Sequence, residues 1–157
     1  MSNPMENRLT SCTRCGGSSF DAHEELLTRT VGGYRFRMRV SAQRCRDCKE
    51  VFFTAQEVAS FDLQVAERLM EMGTKTGLGF KFARKAVGLR AADLAALLDV
   101  DVATISRWEN DKIPIDRAAL ATLGSLVRDK RQGSSATMAQ LRALREAQAP
   151  SALSVEL

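Results

Sequence analysis

The chain has 157 residues, 45% hydrophobic and 27% charged, the balance of a soluble globular protein of one ordinary domain or two small ones. Its net charge of +4 permits a polyanionic partner without requiring one, since binding depends on where the charge sits. No apolar run approaches the length of a membrane span.

In chain order, residues 1–10 are polar and expected to fray. MSNPMENRLT has no apolar core and cannot serve as a secretory signal. A cytoplasmic location is therefore expected, and thiols stay reduced there. Cys12, Cys15, Cys45 and Cys48 form two C-x-x-C pairs, CTRC and CRDC. Cysteines so spaced can point at one ion, and two such knuckles complete a tetrahedral thiolate site. Structural zinc is the expected occupant; the alternatives are two disulfides or ordinary buried thiols. A catalytic zinc does not suit four thiolates, which leave no open position. His23, the only histidine, is expected on a strand surface.

The long gap between the pairs is explained by a hairpin. Phe20–Val31 and Tyr34–Val40 read as strands joined by Gly32-Gly33, a turn that tolerates positive φ. The second strand alternates: Tyr34, Phe36, Met38 and Val40 on one face, Arg35, Arg37 and Arg39 on the other. Arg29, Arg44 and Arg46 are expected to extend the basic face. Residues 1–54 carry nine basic against six acidic residues, net +3. That face is either simply solvated or a docking surface for protein or nucleic acid.

Thr54–Glu57 is a capping box that starts a helix reaching about Met72, ended by Gly73. Val58, Phe61, Val65, Leu69 and Met72 form its apolar stripe. Thr74–Gly79 is the expected hinge, and Phe80–Val87 the next helix. Two short helices follow, about Ala91–Leu98 and Val102–Glu109, around the turn Asp99-Val100-Asp101. Leu94, Leu97, Leu98, Val100, Ile105 and Trp108 face inward at helical spacing. Asp101 is expected to cap the second helix with its carboxylate. That helix shows Ala103, Thr104, Arg107 and Asn110 outward, the geometry that enters a DNA major groove. Pro114 suits the first turn of a helix over about Ile115–Asp129. Arg131–Ser135 is a linker, Thr137–Gln148 a last helix with Met138, Leu141 and Leu144 apolar, and the tail after Pro150 is expected to be disordered.

DLAALLDVDVATISRWENDK resembles the Xre/Cro-type helix-turn-helix over about twenty residues. Arg84 and Glu109 fall where that family places a pairing arginine and glutamate. With CTRCGG and CRDCKEVFF it resembles, over most of residues 11–130, the MqsA-type antitoxins with their YgiT-like zinc finger. The resemblance implies zinc on the four cysteines, a homodimer held through the C-terminal domains, double-stranded DNA at a palindromic operator of its own promoter, and a toxin protein bound by the zinc domain. It places base-contacting positions at Arg107 and Ala103. It departs from the pattern at Arg90, a usual cap; at Ala91, a usual glutamine; and at Asp99 and Asp111, usual glycines.

From the residues themselves, Arg107 is the first choice for base reading, because a guanidinium bridges guanine O6 and N7. Thr104 suits a thymine methyl or a phosphate, and Lys112 and Lys81 suit phosphates. Trp108 shares its helical phase with Ile105 and is expected in the core. Residues 74–112 carry seven basic against five acidic residues, a weak field for a DNA binder. The expected protein is α+β and not an enzyme: a zinc-bound β-hairpin domain (1–53), a linker helix (54–73), an all-α helix-turn-helix domain of about five helices (74–150) and a tail (151–157). The competing expectation is a stand-alone regulator whose finger senses metal or redox state, or docks another protein.

Overall fold

The computed structural model describes residues 9–147; the expected lead-in before Leu9 and the tail after Ala147 lie outside them. The architecture is mixed α+β. An antiparallel hairpin of β1 (Phe20–Val31) and β2 (Tyr34–Cys45) takes a short third strand, β3 (Val51–Phe52), against the foot of β2. Six helices follow: α1 (Ala55–Glu71), α2 (Gly77–Val87), α3 (Ala91–Leu98), α4 (Val102–Glu109), α5 (Arg117–Gln132) and α6 (Ala136–Glu146).

β2 runs five residues past the expected end at Val40, because it pairs with β1 all the way to Phe20↔Cys45. Leu27, Val31, Phe36 and Met38 of the hairpin pack on Phe61, Val65 and Leu69, the buried stripe of α1. The stripe thus covers the chain's own hairpin. Met72, expected in it, follows the helix and is exposed. Arg29 does not extend the basic face: it turns to the α1 side and holds Asp62 through two bonds, Nε to Oδ1 at 2.7 Å and Nη2 to Oδ2 at 3.2 Å. Arg46 pairs with Asp21, and Arg44 Nη2 lies 2.7 Å from His23 Nε2. Arg35, Arg37 and Arg39 remain exposed, opposite Thr30, Thr28 and Leu26.

The other side of α1 joins the helical core through Ala66 and Met70, with Phe80, Leu94, Ile105, Trp108, Leu123, Leu126 and Val127 at its centre. Each such apolar side chain contributes about 1.5–3 kcal/mol by leaving water. Trp108 sits edge-on to Phe80 at 5.7 Å.

Thr54 caps α1, accepting the Glu57 N–H at 3.1 Å. The expected hinge is instead the start of α2, which begins at Gly77 with Thr76 as its cap. A side chain at Gly77 would overlap the Trp108 and Glu109 carbonyls, so glycine here permits close helix contact rather than bending. Pro114 lies before α5, not in it; Asp116 is the cap, its carboxylate taking the Ala119 N–H at 2.9 Å. Arg131 and Gln132 extend α5, where Arg131 pairs with Glu67 of α1. α6 starts one residue before the expected Thr137 and ends at Glu146; Leu144 is exposed, while Met138 and Leu141 pack on the core.

Candidate metal centre and nucleic-acid interface

The four cysteines converge. Their sulfurs all lie within 4.8 Å of one another, with Cys12 Sγ···Cys48 Sγ and Cys15 Sγ···Cys45 Sγ both at 3.6 Å. A disulfide needs about 2.05 Å. A tetrahedral ion with metal–sulfur bonds of about 2.3 Å needs sulfur–sulfur edges of about 3.8 Å. The spacing therefore fits four thiolates around one ion. The two knuckles repeat one backbone design. Gly16 N–H donates to Cys12 O (2.8 Å) and Cys12 N–H to Gly17 O (2.7 Å). In the second, Lys49 N–H donates to Cys45 O (3.0 Å) and Cys45 N–H to Glu50 O (2.9 Å). Gly16 and Lys49 occupy the same left-handed position, at φ 79° and 64°. The sequence marks the first turn with glycine and leaves the second unmarked. Arg14 of the first knuckle pairs with Glu50 of the second.

The thiols oppose one another electrostatically. Burial pushes Cys12 up, but the N–H groups of Cys15 and Arg14 and the neighbouring thiols outweigh it and bring it down to about 7. Cys15 is pulled down by the Gly17 N–H but pushed harder by Cys48, burial, Cys45 and Cys12, to about 12. Four such sulfurs cannot all ionise in one place without a cation among them. His23 is on β1 beside Glu25 of the same strand and Arg44 of β2, outside the cluster.

The second assembly is α2–α4. Arg84 and Glu109 are buried (side chains 8% and 7% exposed) and joined through two bonds, Nε to Oε1 at 2.5 Å and Nη2 to Oε2 at 3.2 Å. Arg84 Nη1 also donates to Leu89 O at 2.6 Å. Asp99 and Asp111 both take φ 54°, so the aspartates keep the left-handed turns that glycine makes easily. Asp101 stands at the N-cap of α4 but its carboxylate makes no cap bond; its carbonyl accepts from Thr104 N–H instead. At α3 the missing serine-type cap is replaced from the other side. Asp93 accepts the Arg90 N–H at 3.0 Å and both Nε and Nη2 at 2.9 Å. Those bonds hold Asp93 down at about 2.

α4 buries Ile105, Trp108 and Glu109 and exposes Val102, Ala103, Ser106 and Arg107. Thr104 is half-buried. Lys112 stays beside Arg107 through its N–H bond to Arg107 O at 2.8 Å, whereas Lys81 stands half-buried on α2. Asn110 folds back, donating to Ser106 O at 2.7 Å. Sequence reasoning missed Ser106, although its spacing of three and four residues from Ala103 and Asn110 marks the same face.

Residues 80–123 match the model of the helix-turn-helix family, a regulatory DNA-binding family that is not typically enzymatic. The match covers α2 from Phe80 onward, all of α3 and α4, and the first part of α5. No curated protein and no solved structure matches the chain.

Proposed function

We propose that this protein is a sequence-specific transcriptional regulator that acts as a homodimer on a palindromic operator of its own promoter, as the antitoxin of a type II pair. The observation that carries the DNA reading is α4: one face locked into the core by Ile105, Trp108 and the Arg84–Glu109 pair, the other presenting Ala103, Ser106 and Arg107 to solvent. Arg107 reads a guanine edge, Thr104 and Ala103 meet a thymine methyl, and Lys112 and Lys81 hold phosphates. Zinc is the ion that four thiolates in a closed tetrahedron suit best. It would be held by Cys12, Cys15, Cys45 and Cys48 and would keep the hairpin foot folded. The row Arg35, Arg37, Arg39 is the surface offered to the toxin. Residues 1–53 and 74–150 thus divide the work, with α1 between them.

Arg107→Ala should weaken binding to DNA from the chain's own upstream region by about 1–3 kcal/mol at fixed salt. Unchanged affinity in a shift assay would remove Arg107 from base reading. Co-purification with the product of an adjacent gene, toxic when expressed alone, tests the antitoxin role. A second reading, a stand-alone sensor, is favoured by the exposure of Cys15, which opens one ligand to oxidants. It predicts reversible metal loss that changes DNA affinity, with no protein partner.

A further inference from the structure

The hairpin tip stands beside the residues that lead into α2. A Cβ at Gly32 would stand 3.1 Å from Thr76 Oγ1 and 4.0 Å from Thr74 Cγ2, so the turn is seated on the residues that lead into α2. Thr76 caps α2, accepting the Gly79 N–H at 3.2 Å. The next residue, Gly77, donates its N–H to Asp111 Oδ1 at 2.7 Å and lies flush against the Trp108 and Glu109 carbonyls. Asp111 follows Asn110, the C-cap of α4, and is bonded to the helix, its N–H donating to Trp108 O at 3.2 Å. A glycine at this position would take φ 54° more easily but has no carboxylate to offer α2.

We infer that Asp111 is a positioning residue for the recognition helix, and that the line Gly32–Thr76–Gly77–Asp111 makes the pose of α4 depend on the hairpin tip. The inference rests on reading α4 as the DNA-reading helix. Its physical content is independent of DNA: a Cβ added at Gly32 would crowd Thr76 Oγ1, and Gly77 beside it already lies flush with the α4 carbonyls, so a displacement of Thr76 has little room to be absorbed before α4.

The two turn glycines provide a built-in control. Gly32 (φ 57°) and Gly33 (φ 86°) both suffer backbone strain when replaced, but a Cβ at Gly33 meets nothing within 4 Å. Gly32→Ala, Gly33→Ala, Asp111→Gly and Asp111→Asn are compared in the full chain by amide hydrogen exchange without DNA. Gly32→Ala should speed exchange at Gly77 and at Asn110–Lys112 by about tenfold over Gly33→Ala. Asp111→Gly should do the same while remaining folded, and Asp111→Asn, which keeps an acceptor and tolerates the left-handed turn, should match the unmodified chain. Equal exchange in the two alanine variants, or an effect confined to the hairpin, overturns the relay. On operator DNA, Gly32→Ala and Asp111→Gly should lower the ratio of specific to non-specific affinity about fivefold, with the salt slope unchanged. An unmodified chain that does not prefer operator to random DNA defeats the reading of α4, while the exchange data still decide the relay.

Discussion

The hairpin foot and the helical body are held together by different means. Among the described residues, the segment before α1 supplies only Cys12, Val40, Ala42 and Cys45 to the buried apolar set, and two of those belong to the four-cysteine cluster. The body has a continuous core from Ala66 to Val127. The hairpin thus has a cysteine cluster at its foot and packs on α1 nearer its tip, whereas the body is stable through burial. A small fold with so little core needs a staple; a helix-turn-helix with Phe80, Leu94, Ile105 and Trp108 fully or nearly buried does not. Recognition chemistry can then vary at the surface of the body without disturbing the fold.

The largest test of this contrast is metal removal. Binding of a structural ion is worth about 10–16 kcal/mol in finger peptides near neutral pH. A strong chelator, or Cys45→Ser, should abolish exchange protection at residues 12–17 and 45–52 while the helical signal of α2–α5 persists. Simultaneous loss of both would show one cooperative unit. Next in size, Arg84→Ala or Glu109→Ala should destabilise the body by about 3–5 kcal/mol in denaturant melts, because the remaining buried charge loses its partner; metal content should not change. Thr74→Val should raise stability by about 1 kcal/mol, since Thr74 Oγ1 is buried with no hydrogen-bond partner among the described residues and its replacement by a methyl keeps the shape. The smallest effect is on the surface of α3. Asp93 lies near 2 when folded against a usual 3.8, so its contribution is present above about pH 4 and fades as the pH falls toward 2. Arg90→Ala should flatten that part of the stability profile.

Much of this was legible in the sequence. Alternation along Tyr34–Val40, the paired cysteines and the helical phase of Leu94, Ile105 and Trp108 define local patterns, and local patterns fix strand and helix faces. What was not legible depends on partners distant in the chain. Arg29 looked like one more outward arginine until Asp62 of α1 faced it. Gly77 and Gly79 looked like a hinge because glycine marks bending and close approach alike; only the α4 carbonyls and Thr74 decide between them. The departures at Asp99 and Asp111 read as losses, yet Asp111 gains a bond that glycine could not make.

The central claim is that the body displays α4 to read DNA. It is tested most directly by titrating the full chain with DNA from its own upstream region and with a scrambled duplex, over a series of salt concentrations. The expected result is a preference of about a thousandfold or more for the former, retained as salt weakens both. Equal affinity for the two duplexes, or none for either, would contradict it.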